Sequence, residues 1–103
     1  MRYAWCMKLK PDKTQEYKRR HDEIWPEMRA LLSEAGCRDY SIFLYEDMVF
    51  GTFVTADLGR LLDTLKSRPV AARWRAAMAE LVDNAPDPST GYQRLLEPIF
   101  YLN

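Results

Sequence analysis

Tyr40-Ser41-Ile42-Phe43-Leu44-Tyr45 and Met48-Val49-Phe50-Gly51-Thr52-Phe53-Val54-Thr55 are separated only by Glu46-Asp47, and the fold is read from this stretch. Both runs are rich in aromatic and β-branched residues, so each predicts a strand. Two intervening residues suffice for a tight reversal, and the pair reads as a hairpin. Large apolar side chains stand on both faces, Ile42 and Leu44 on one and Phe43 and Tyr45 on the other.

Working outward, residues 2–10 alternate, with Tyr3, Trp5, Met7 and Leu9 on one side, until Pro11-Asp12 ends the run. From about Thr14 the period becomes helical. Ile24, Met28, Leu31, Leu32 and Ala35 form an apolar stripe, and Gly36 follows as a C-terminal cap. Pro26 implies a kink, or two abutting helices with Pro26 in the first turn of the second. After the hairpin a second helical region starts near Asp57 or Leu58, with Leu61, Leu62 and Leu65 in step. Ser67-Arg68-Pro69 interrupts it, and Val70, Trp74 and Met78 resume the pattern. Asn84 to Gly91 reads as a loop, and Tyr92 to Leu102 as a last strand.

The order β-α-β-β-α-β predicts an α+β, ferredoxin-like domain over residues 1–103: a four-stranded antiparallel sheet with helices on one face. Helices on one side leave the other apolar sheet face bare. That face predicts a homodimer packed sheet against sheet, a dimeric α/β barrel.

The 103 residues suffice for one core, and 48% hydrophobic with 29% charged residues is an ordinary globular balance. Formal net charge is zero, which argues against nucleic-acid or anionic-membrane partners. The Lys18-Arg19-Arg20 run reads as a solvated face laced with pairs such as Glu16–Arg20. Cys6 and Cys37 fit no zinc or redox spacing and read as free, buried thiols in a reducing cytoplasm. The N-terminus alternates rather than running apolar, and no segment has the length of a membrane span.

His21 is the only histidine. On a charged helix a lone histidine is ordinarily a solvated surface residue. What singles it out is Tyr17, four residues earlier and on the same helix face, and Trp25, four residues later where the helix must change course before Pro26. Imidazole titrates near neutrality and is the commonest general acid or base. With no second histidine, no clustered carboxylates or cysteines and no Gly-rich phosphate loop, a metal or phosphate site has no basis here, and the chemistry expected is cofactor-free. Tyr40 starts the second strand directly after the first helical region and is placed at the same sheet end. Trp74, between Arg73 and Arg75, is either core or a ligand wall. Indole, phenol and guanidinium are the usual walls of a carbohydrate site.

These residues together resemble the L-rhamnose mutarotase family. The resemblance rests on Tyr17-Lys18-Arg19-Arg20-His21-Asp22-Glu23-Ile24-Trp25-Pro26-Glu27, on Gly36-Cys37-Arg38-Asp39-Tyr40-Ser41-Ile42, on Arg73-Trp74 with Met78, on Asn84 to Pro88 and on Phe100-Tyr101-Leu102. It implies a dimeric ferredoxin-like fold, a place in rhamnose metabolism and interconversion of the α and β anomers of a deoxy sugar. It puts His21 on the proton-donor position and Tyr17, Tyr40 and Trp74 on sugar-binding positions. The family usually carries a second tryptophan where Arg75 stands, so Arg75 is taken as a polar sugar-binding residue beside Trp25 and Trp74. The loop over 84–89 departs as well. Anomerisation needs a proton delivered to the ring oxygen as the anomeric hydroxyl loses one. His21 is the expected donor, with Tyr17, Tyr40 or an ordered water as candidate base. The alternatives are a mutarotase for another aldose such as L-fucose, a cofactor-free monooxygenase or haem-degrading protein of the same barrel type, and a non-catalytic ligand-binding module.

Overall fold

The computed structural model describes residues 1–83, 86 and 92–103. Seven elements follow in order: β1 (Arg2–Lys8), α1 (Thr14–Asp22), α2 (Pro26–Glu34), β2 (Arg38–Tyr45), β3 (Met48–Val54), α3 (Leu58–Ser67) and α4 (Pro69–Ala79). Pro26 and Pro69 each open a helix, where a missing N–H costs nothing. Each helical region is thus a broken pair. Asp57 caps α3 by accepting the Arg60 backbone N–H at 3.0 Å. Gly36 ends α2 at φ +91°, a conformation that a side chain would strain, and there Cys37 N–H reaches the Leu32 carbonyl at 3.0 Å.

The strands form an antiparallel sheet in the order β1-β3-β2, with Glu46-Asp47 as the hairpin turn and Glu46 at φ +55°. Register sets the faces. Trp5, Gly51 and Ile42 form one row, and Met7, Val49 and Leu44 the next. The helices cover this side, burying Met7, Leu9, Val49 and Phe53 against Met28, Leu31, Leu61, Leu65, Ala71 and Met78. The opposite side carries Phe43, Tyr45 and Phe50, which stay 60%, 68% and 37% exposed. Cys6 is half-buried, Cys37 buried, and both are free.

The expected fourth strand is the main departure. Among the described residues the sheet has three strands, and only the start of the last segment docks. Leu95 bridges Trp5 antiparallel, and Leu96 N–H donates to the Ala4 carbonyl at 2.7 Å on the free edge of β1. Pro98 then brings no N–H to the ladder. Ile99 to Leu102 are at least 80% exposed, so in the single chain nothing rewards their pairing. The loop expected over 84–91 lies, apart from Pro86, outside the described residues.

β3 meets β1 over Gly51. A Cβ there would fall inside the Trp5 indole, so the ring lies flat on the glycine backbone. Gly51→Ala is therefore expected to displace Trp5 and destabilise the fold by about 1–3 kcal/mol, read as a lower urea midpoint. An unchanged midpoint would show that the indole has somewhere else to go.

Candidate active site between the helices and the sheet

His21 lies in the last turn of α1, one turn after Tyr17, and the two rings stack with centroids 4.3 Å apart. The extended backbone at Trp25, with ψ 131°, turns its indole back toward α4. Trp74 stands edge-on to both, 5.3 Å from His21 and 5.1 Å from Trp25. The helical spacing of Tyr17 and His21 and the break at Pro26 thus bring four rings from α1, the α1–α2 junction and α4 into contact.

Tyr40 joins from the sheet. Between Arg38 and Ser41 β2 carries one extra residue opposite β3, a bulge centred on Asp39 at φ +46°. Arg38 shifts into register with Val54, and Tyr40 is left across from Phe53, with ring centroids 5.7 Å apart. The residue as a whole is 40% exposed, but its hydroxyl end is enclosed beside the Trp5 indole. One ring edge therefore meets solvent while the phenol oxygen does not. In the sequence Trp5 stood out only as one of the alternating row in β1, and its place opposite Gly51 comes from the strand register.

Burial sets the electrostatics. It lifts the Tyr17 and Tyr40 phenols well above their ordinary value, and the nearby Tyr40 raises Tyr17 further. Both are protonated donors at neutral pH. His21 is pushed the other way: burial lowers its pKa below 6.5, opposed by the Tyr17 carbonyl and the Asp22 charge. Its Nδ1 lies 3.0 Å from that carbonyl, which only accepts. The neutral ring therefore carries its proton on Nδ1 and presents a lone pair at Nε2.

Arg75, next to Trp74, donates from Nη1 to the Tyr92 hydroxyl at 2.9 Å. Arg20, expected only as the partner of Glu16, does more. It bonds Glu16 at 2.9 Å and also reaches the Ala77 carbonyl at 2.6 Å and Glu80 at 3.2 Å, fastening α1 to the end of α4. A groove of about 520 Å³ opens beside Trp25, Trp74 and Met78, with Arg19, Arg20, Glu23 and Glu80 at its charged walls. His21, Tyr17 and Tyr40 do not line it. Among the described residues no three His, Cys, Asp or Glu side chains converge as metal ligands. An imidazole lone pair, phenol donors and indole walls suit proton transfer on a neutral, polyhydroxylated ring.

The tautomer is directly measurable. Nitrogen-15 NMR should show neutral His21 protonated on Nδ1, with a titration midpoint below 6.5. A midpoint above 6.5, or a proton on Nε2, would contradict the geometry around Tyr17.

Comparison with known proteins identifies the chain's relatives. The L-rhamnose mutarotase family model matches residues 2–102. The chain is 46% identical over 88 residues to an L-rhamnose mutarotase of Mesorhizobium japonicum, covering 84% of this chain and 83% of the relative. It is 40% identical over 107 residues to that of Brucella anthropi, covering 98% and 95%. The crystal structure of L-rhamnose mutarotase from Formosa agariphila superposes with a TM-score of 0.81 at 30% identity, over 100% of this chain and 99% of that one. A match that runs from the first strand to the last apolar residues, at this identity, means that the chain belongs to the L-rhamnose mutarotase family.

Proposed function

We propose that the protein interconverts the α and β anomers of L-rhamnose by opening and reclosing the hemiacetal ring, with His21 moving the proton. The activity follows from membership of the family. What supports His21 in this role is its Nε2, turned away from the Tyr17 carbonyl in a half-buried cluster with Tyr17 and Trp74. Neutral imidazole takes the proton of the anomeric hydroxyl as the bond from C1 to the ring oxygen breaks. The imidazolium so formed delivers that proton to the ring oxygen and is regenerated as neutral base. Net change is one proton moved between two oxygens of the same sugar, so no external reactant is consumed. The aldehyde rotates and closes on its other face by the reverse steps. Tyr17 and Tyr40 donate to sugar oxygens, while Trp25 and Trp74 supply apolar walls and Arg75 a polar one.

The proposed assembly is a homodimer packed sheet against sheet, with residues 92–102 completing a four-stranded sheet in a dimeric barrel. Its support is the exposed row Phe43, Tyr45 and Phe50 together with the exposed Ile99 to Leu102. Two free cysteines favour a reducing cytoplasm as the location. No helix among the described residues is long and apolar enough to cross a membrane.

His21→Ala should lower enzymatic anomer exchange, followed by saturation-transfer NMR on L-rhamnose, by about 100- to 10,000-fold in a protein that still folds. Near-wild-type exchange in a folded variant would remove His21 from the mechanism. The pH profile tests its starting state. Because burial holds the folded-state pKa below its ordinary value, the neutral base predominates at pH 7 to 8. Exchange above background should be flat there and decline as pH falls through that lowered pKa. A rate that climbs with acid would mean that preformed imidazolium is the working form. For the assembly, sedimentation at micromolar protein should report a dimer, and Phe43→Glu should shift it toward monomer. A stable wild-type monomer would leave the apolar face without its partner.

A further inference from the structure

Arg20 and its neighbour Arg19 stand side by side at the end of α1, yet they reach different parts of the molecule. Arg19 bonds Glu16 and Glu23, both within α1 and its cap, and its side chain is 60% exposed. Arg20 is 24% exposed and works in two directions. Its Nε holds Glu16 at 2.9 Å on its own helix. Nη1 is left to cross to α4, where it lies 2.6 Å from the Ala77 carbonyl and 3.2 Å from Glu80. Among the described residues these are the hydrogen bonds that join α1 to α4 and its cap.

The acceptor explains the arginine. The Ala77 carbonyl belongs to the last turn of α4, where the helix supplies no N–H of its own and a cation is favoured. Ala77 stands one turn beyond Trp74, and Arg20 directly before His21. The bond therefore pins the turn that carries the imidazole to the turn that carries the indole, whose rings meet edge-on at 5.3 Å. At nine residues, α1 is too short to hold its place without such ties. What shifts the His21 pKa is burial first, then the Tyr17 carbonyl and Asp22. The guanidinium, already answered by two carboxylates, acts on the ring by geometry rather than by charge.

Resting on the reading of His21 as the proton carrier, we infer that Arg20 is a positioning residue for the reaction: its fork, shared between Glu16 and the Ala77 carbonyl, sets His21 in place against Trp74. Two nitrogens of one rigid plane meet acceptors on two helices, which a single ammonium on a flexible stem does not reproduce. A displacement of about 1 Å at a catalytic group costs up to about 100-fold in rate. Contacts to the sugar from other elements are kept, so the loss falls on kcat and not on KM.

Wild type, Arg20→Met, Arg20→Lys, His21→Ala and, as control, Arg19→Met should be compared by saturation transfer over a range of L-rhamnose concentrations, with thermal unfolding to report folding. Arg20→Met should lose about 10- to 100-fold in kcat, with KM within about 3-fold. Arg20→Lys keeps the charge and should recover only part of the loss. Arg19→Met removes exposed ion pairs confined to α1 and should stay within about 2-fold of wild type. Because His21 is the only histidine, its ring C–H resonances are read directly. At pH 8 they should move in Arg20→Met, as the indole shifts relative to the imidazole, and stay in Arg19→Met. A lower unfolding midpoint with kcat and these resonances unmoved would make Arg20 a stability contact and overturn the inference. Full recovery in Arg20→Lys, or an equal loss in Arg19→Met, would overturn it as well. If Arg20→Met does not fold, Arg20→Lys carries the test, with a reduced kcat and displaced resonances expected. Loss of exchange in His21→Ala beside unaffected Arg20 variants would overturn this inference alone. Near-wild-type exchange in folded His21→Ala would overturn the reading of His21, and this inference with it.

Discussion

Pro26 and Pro69 each force the residue before them out of helical geometry, and the helical layer is organised by these two breaks. Trp25 sits at ψ 131° and Arg68 at ψ 125°, and the four resulting helices are only 9 to 11 residues long. Helices of that length do not hold alone in water and depend on what they pack against. Each break docks on the other helical pair. The Trp25 indole meets Trp74 of α4, and Arg68 bonds the Glu34 carboxylate of α2 at 2.7 Å. The exposed ion pair contributes little, the aromatic contact more. Arg20 adds a third tie between α1 and α4 through the Ala77 carbonyl. The rings that surround His21 are thus the same rings that join the two halves of the layer.

The features legible in the sequence are those set by local physics. Alternation named the inward row Tyr3, Trp5 and Met7, and the two prolines named the helix breaks. The four-residue spacing of Tyr17 and His21 put their rings together. The Glu16–Arg20 pair was legible for the same reason, but the reach of Arg20 to a carbonyl 57 residues away was not. The bulge at Asp39 escaped notice, since one extra residue leaves no mark on hydrophobic pattern. Tyr92 escaped too, because its place depends on pairing between residue 95 and the first strand. The last strand was expected from apolar content. Such content calls for burial without saying against what, and in the single chain the pairing with β1 is made at Leu95 and Leu96.

The site is built to be neutral. His21 stands at the carboxyl end of α1, where exposed carbonyls favour a cation, yet burial outweighs them and holds the ring uncharged. Burial also keeps Tyr17, Tyr40 and Tyr92 protonated, Arg75 pulling against it at Tyr92. Sugars carry no charge for such a site to answer. Selection among them has to come from donors and acceptors at fixed places.

The fit of the Trp5 ring on Gly51 also bears on how this sequence can drift. Any side chain at 51 collides with the ring, and a smaller residue at 5 leaves a void beside the Tyr40 hydroxyl. The two positions are epistatic: what is tolerated at one is decided by what stands at the other. A lineage exploring the neighbourhood of this fold has an ordered path past that point. The ring must shrink before the glycine grows, and the intermediate carries the void. The middle of the sheet therefore changes in pairs or stays as it is.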